Sequence, residues 1–133
     1  MCIGGTHVED YIKVVKSLSE KTRIRILALL HQAREACVSE IVDTLQESQY
    51  NVSRHLKVLQ EAGMVVGSKK GRWIYYQLNE NQDHFKKILL TAVKEISSEI
   101  LYEDLERLQK KLARRLNDQC TTRNTDQYNE SYQ

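Results

Sequence analysis

Between Ile41 and Leu78 the chain carries two helical stripes separated by almost nothing and then an alternating stretch, an order that few folds accommodate. Ile41, Val42 and Leu45 form the inner face of a short helix that starts near Cys37 or Val38 and stops by about Glu47. The Ser48 hydroxyl can accept from an orphan amide and so cap the next helix, whose inner stripe is Val52, Leu56 and Leu59 and which Gly63 closes. Helices of about ten and fourteen residues joined so closely read as a helix-turn-helix. Val65 to Lys69 and Arg72 to Leu78 then flank Lys70-Gly71, with Ile74, Tyr76 and Leu78 alternating with Trp73, Tyr75 and Gln77. That pattern predicts a two-stranded hairpin in which Gly71 takes positive φ.

Around this segment the chain is mainly helical, with 0 prolines and 5 glycines to interrupt it. Val8, Tyr11, Ile12 and Val15 mark an amphipathic helix from about His7 to Ser17. Ser19 is the expected cap of a second helix, buried all round through Ile24, Ile26, Leu27, Leu29 and Leu30. From Gln82 to about Asn117 apolar residues recur at three and four, but the step from Ile96 to Leu101 breaks phase. Either one helix shifts face there or two helices meet near Ser97-Ser98. One helix of about 36 residues would be roughly 54 Å long, so part of its stripe would need another chain, and a dimer is inferred. The organisation expected is a winged domain with its N-terminal arm over residues 1–96, a helical extension over 97–117 that makes a dimer contact, and a polar, loosely held tail over 118–133.

A length of 133 residues fits one domain, and 41% apolar residues suffice for a modest core. No apolar run approaches the ~18 residues that span a bilayer, so a soluble cytoplasmic protein without a membrane partner is expected. Charge is unevenly spread. Residues 1–47 carry 6 basic and 7 acidic groups and residues 79–133 carry 9 and 10, whereas Ser48 to Leu78 holds Arg54, Lys57, Lys69, Lys70 and Arg72 against Glu61 alone. A local excess of this kind suits a polyanion. Opposite the inner stripe of the Ser48 helix lie Gln49, Tyr50, Ser53, Arg54 and Lys57. Gln can pair bidentately with adenine and Arg with guanine, while Ser and Tyr can reach phosphate or a base edge. Lys69, Lys70 and Arg72 at a hairpin tip can meet backbone phosphate beside the groove, or can serve as a charged edge against aggregation. A helix-turn-helix followed by a basic hairpin is the winged-helix arrangement, with double-stranded DNA as the leading partner and a protein-binding module as the alternative. No phosphate-cradling glycine loop, nucleophile triad or spaced carboxylate pair points to an enzyme.

The chain resembles the ArsR/SmtB family of small dimeric winged-helix repressors. Four blocks carry the resemblance: Leu18-Ser19 with Thr22 to Leu27, Ala36 to Ile41, Ser48 to Leu56, and Gly63-Met64-Val65 through Gly71 to Leu78, together spanning about residues 8 to 96. Lys21 stands where the family usually has Pro before Thr22. The resemblance implies homodimerisation through the first and last helices, operator binding that blocks transcription, and release when an inducer binds. Arsenic- and cadmium-type members carry Cys-x-Cys at the start of the helix before the recognition helix, since trivalent arsenic and soft cations prefer thiolate. Here the pair is Cys37 and Ser39, so half is missing. Cys37 at a helix N-terminus, completed by Cys2 on the arm or Cys120 on the tail, would bind arsenite, antimonite or a soft metal ion. A disulfide or polysulfide bridge between these thiols is the redox alternative. Asp83 and His84 are adjacent rather than spaced as ligands on one face, which argues against the family's other site, a zinc site on the last helix. His31 is expected near the end of its helix, and His55 beside the recognition helix.

Overall fold

Helix α2 (Lys21–Ala33) is buried on nearly every side from Ile26 to Leu30, and the other elements assemble around it. The computed structural model describes residues 7–80, 83–100 and 102–117. Before α2 comes α1 (Val8–Ser17), and after it β1 (Ala36–Cys37), α3 (Val38–Leu45), α4 (Gln49–Glu61), β2 (Val65–Lys70), β3 (Trp73–Leu78), α5 (His84–Ile100) and α6 (Tyr102–Asn117). The architecture is the expected one, mainly helical with a winged hairpin after a helix-turn-helix. None of the described helices is long and apolar enough to cross a membrane.

The core joins Ile26, Leu27 and Leu30 of α2 to Ile41 and Leu45 of α3, to Val52, Leu56 and Leu59 of α4, and to Met64, Val65 and Leu78 at the root of the hairpin. Leu90 and Val93 of α5 and Leu108 of α6 close it from the other side. Hydrophobic burial of this kind contributes about 1.5 to 3 kcal/mol per large aliphatic side chain.

Several local expectations are corrected. Glu20, not Ser19, caps α2: its carboxylate accepts from Thr22 N at 2.7 Å and Arg23 N at 3.2 Å, while Ser19 Oγ donates backwards to Lys16 O. Three strands form the sheet, in the order β1-β3-β2, because Ala36 and Cys37 pair antiparallel with Tyr76 and Tyr75. Two residues between helices were too short a run to register as a strand. The hairpin turns at Gly71-Arg72, one residue later than expected, since Lys70 still pairs with Trp73; Gly71 has φ +68°.

The C-terminal helices resolve the phase break. The segment forms two helices, α5 running through Ser97-Ser98 to Ile100 and α6 starting at Tyr102; Leu101 lies outside the described residues. Helix α6 folds back onto α2 and α3, and Leu105, Leu108 and Leu112 pack on the chain's own core. Those leucines therefore need no second chain to cover them, and no single helix of 36 residues forms.

Helix α1 is the opposite case. Val14 and Ser17 are buried, whereas Val8, Ile12 and Val15 of the amphipathic stripe are 64%, 45% and 48% exposed. Tyr11 fastens α1 to α5 through an edge-to-face contact with Phe85, centroids 4.9 Å apart. At the joint between α4 and the hairpin, Gly63 takes φ +78° and its carbonyl accepts from Asn79 Nδ2 at 3.0 Å; Asn79 N donates to Met64 O at 3.0 Å. Both connections hold the hairpin root against the helix end.

Candidate nucleic-acid interface

Helix α4 begins as its sequence dictates. Ser48 is extended, and its Oγ accepts from Asn51 N at 3.1 Å, satisfying one of the amides that a helix start leaves unpaired. With Val52, Leu56 and Leu59 buried, the opposite face presents Gln49, Tyr50, Ser53, Arg54 and Lys57. Tyr50 is 71% exposed, a large aromatic with no share in the core. Gln49 Nε2 donates to Ser53 Oγ at 3.0 Å, and Arg54 donates to Asn51 Oδ1 at 3.3 Å. These short contacts lie along the helix surface and orient the groups without burying them.

Behind this face is a layer that sequence reasoning missed. Asn51 Nδ2 donates to Glu47 Oε1 at 3.4 Å, an i, i+4 pair that spacing alone could have suggested. His55 does not flank the helix but is buried, with Nδ1 3.0 Å from an Arg23 guanidinium nitrogen. On the other side of the ring, Nε2 lies 3.4 Å from an Arg54 guanidinium nitrogen and 3.7 Å from Glu20 Oε1. Arg23 also donates to Ser17 O at 2.8 Å and Lys16 O at 3.2 Å, tying α4 to the α1–α2 turn. Burial is the largest influence lowering the His55 pKa below the usual histidine range; Arg54 and Arg23 add to it, against Glu20 and Glu47.

The hairpin tip carries exposed Lys69 and Arg72. Lys70 is less available than expected: its Nζ donates to both oxygens of Glu35 at 2.8 and 2.9 Å and lies 5.4 Å from the centre of the Tyr75 ring. An exposed pair of this kind is worth about 0 to 1 kcal/mol, so a phosphate can compete for the ammonium.

Cys37 is buried at the N-cap of α3, its Sγ 3.3 Å from Ser39 Oγ and its backbone N donating to Glu40 Oε1 at 3.2 Å. Contrary to the expectation of a helix-stabilised thiolate, burial first and the Glu40 carboxylate second raise its pKa, outweighing the Ser39 hydroxyl and the nearby amides. Cys2 and Cys120 lie outside the described residues. Among the described residues no group of three His, Cys, Asp or Glu side chains could hold a metal ion. Asp83 has a plain structural task, its Oδ1 accepting from Lys86 N at 3.0 Å at the start of α5. His31 lies in the last turn of α2 with its pKa lowered, by burial first and Lys94 second, against Glu80.

A family model described as a helix-turn-helix domain matches residues 18–67, from the end of α1 to the start of β2. The arsenic resistance transcriptional regulator ArsR1 of Pseudomonas putida is 35% identical over 107 residues, covering 78% of this chain and 84% of that protein. The chain belongs to the ArsR/SmtB family of winged-helix transcriptional regulators. The arsenical resistance operon repressor of Escherichia coli is 38% identical over 68 residues, 51% of this chain and 58% of that protein. Among solved structures, the homodimeric winged helix-turn-helix domain of Mb0332 from Mycobacterium bovis superposes with a TM-score of 0.59 at 24% identity, covering 76% of this chain and 90% of that one. ArsR/SmtB proteins are DNA-binding regulators and not enzymes, and the matched helix-turn-helix region holds α2, α3 and α4, with the β2–β3 hairpin following.

Proposed function

We propose that this ArsR/SmtB chain is a dimeric repressor that reads operator DNA with α4, meets flanking phosphate with its wing, and is released by a thiol-reactive inducer, arsenite or antimonite before other soft ions. The observation that carries the DNA reading is the polar, basic outer face of α4, followed in the chain by a hairpin whose exposed tip carries Lys69, Lys70 and Arg72. Gln49, Arg54 and Lys57 have the donors for base edges, Tyr50, Ser53 and Ser48 for edges or phosphate, and Lys69, Lys70 and Arg72 for phosphate. The exposed stripe of Val8, Ile12 and Val15 on α1, with Ile88 of α5 52% exposed, is the apolar surface a second copy would cover. A two-fold pair of α4 helices would then meet two half-sites on one side of the duplex.

The inducer reading rests on Cys37 and on the arsenic-resistance relatives. Each thiol that replaces a hydroxide on arsenous acid forms one S–As bond and releases one water. Cys37 supplies one sulfur, and Cys2 and Cys120, of this chain or a partner, are the candidates for the others. Because the thiol is buried, the reagent must draw Cys37 out of its capping position, undoing the Glu40 contact and the pairing with Tyr75. Inducer and DNA would thus each weaken binding of the other by the same factor. A redox sensor is less well supported, since such cysteines are accessible and low in pKa, and Cys37 is neither.

The test is a titration of the chain bound to its own upstream duplex. Arsenite and antimonite should release it, zinc should not, and Cys37→Ser should abolish release while leaving DNA affinity intact. Release of the Cys37→Ser variant by arsenite would overturn the inducer assignment; mass analysis after a persulfide donor tests the redox alternative.

A further inference from the structure

The carboxyl end of α3 is the turn that aims α4, and the C-terminal helix α6 reaches into it. A helix leaves its last four carbonyls without intrahelical partners. In α3 all four are satisfied: Val42 O by Gln46 N and Glu47 N, Asp43 O by Gln46 Nε2, Thr44 O by Arg107 Nε at 2.6 Å, and Leu45 O by an Arg25 guanidinium nitrogen at 2.5 Å. Two of these come from arginines outside the helix-turn-helix. Asp104 of α6, 6% exposed, orients both, accepting from Arg25 Nε at 2.7 Å and a second Arg25 nitrogen at 2.9 Å, and from Arg107 at 2.8 Å. Arg25 reaches on to Glu47 Oε2 at 3.4 Å, Glu47 is joined to Asn51, and Asn51 accepts from Arg54 on the outer face of α4. Lys111 of α6 adds a contact to Asp43 at 2.6 Å. A continuous polar chain therefore runs from α6 to the exposed Arg54 on the outer face of α4. Gln46, within the turn, is held at φ +58°, a conformation a non-glycine residue keeps only when its surroundings fix it.

We propose that Asp104 and Arg107 are positioning residues for DNA recognition: by completing the α3 terminus, α6 sets the direction in which α4 and Arg54 are presented. The inference rests on the DNA reading above and adds to it a role for a helix outside the helix-turn-helix. Its signature is selectivity. Asp104→Asn raises the net charge by one, which by itself favours any duplex; a loss confined to the cognate sequence must come from misaimed side chains.

The experiment measures binding of wild type, Asp104→Asn, Asp104→Glu and Arg107→Gln to the chain's own upstream duplex and to an unrelated duplex of equal length at one salt concentration, with far-ultraviolet circular dichroism and hydrodynamic size as controls. Asp104→Asn is expected to lose about tenfold or more in the ratio of cognate to unrelated affinity, Arg107→Gln about three- to tenfold, and Asp104→Glu to recover part of the loss. Should Asp104→Asn fail to fold, Arg107→Gln, whose side chain is 34% exposed, decides the matter. An unchanged ratio, or equal losses on both duplexes, overturns the positioning role while leaving the DNA reading in place. A wild-type chain that treats the two duplexes alike overturns both.

Discussion

Helices α1 and α4 are both amphipathic, with 10 and 13 residues, yet they turn opposite faces to solvent. Helix α4 buries Val52, Leu56 and Leu59 and shows a polar, basic face; α1 shows Val8, Ile12 and Val15 and buries little beyond Val14 and Ser17. An exposed polar face with donors is complete in water and ready for a polyanion. An exposed aliphatic stripe is incomplete, and water is its poorest neighbour. The same periodicity thus specifies two kinds of partner, and only the fold tells them apart.

Charging the α1 stripe is the severest way to test this contrast. Ile12→Glu with Val15→Glu should leave the monomer fold intact, as both sites are exposed, but halve the particle mass in sedimentation and cost on the order of a thousandfold in duplex affinity as two linked half-site contacts become one. A variant that stays dimeric would break the comparison. Leu56→Ala, on the buried side of α4, should do the reverse, lowering unfolding stability by about 3 kcal/mol in urea titrations without changing oligomeric state.

On the outer face of α4, Arg54→Ala should weaken cognate binding by about 2 kcal/mol and relax preference at one base position, read by competition with single-base variants. Loss without relaxed preference would make it a phosphate contact. Lys69→Gln at the wing tip should weaken all duplexes alike and reduce the slope of log affinity against log salt by about 1.

The smallest effect is on pH. The lowered pKa of His55 means that the unfolded chain takes up a proton near the ordinary histidine value while the folded chain resists it. Stability from this group is therefore present above that value and lost as pH falls through the window down to the folded pKa. The melting temperature should decline as pH is lowered from 7 towards 5, and less so in His55→Asn; an identical decline in that variant would remove His55 as the cause.

What could be read from sequence was what is local. The cap at Ser48, the stripe Val52-Leu56-Leu59 and the closing Gly63 lie within one helix of each other, and the structure has each as expected. What escaped is paired across distance: Arg25 with Asp104, Arg23 with His55, and Ala36-Cys37 with β3, none of which leaves a periodic trace. The spacing of α1 disclosed a stripe but not its direction, because periodicity has no sign. For Cys37 the position was right and the electrostatics were not, since a helix N-terminus favours thiolate only where burial does not outweigh it.

The Asn79 clamp on the carbonyls of Gly63 and Met64 fastens the root of the wing to the end of α4, like the hinge of a caliper. On the DNA reading proposed above, a duplex held by both arms would have to adapt its own shape to the space between them. Base steps that kink or narrow cheaply would be favoured at positions no side chain reaches, so part of the operator's sequence would be written in its stiffness.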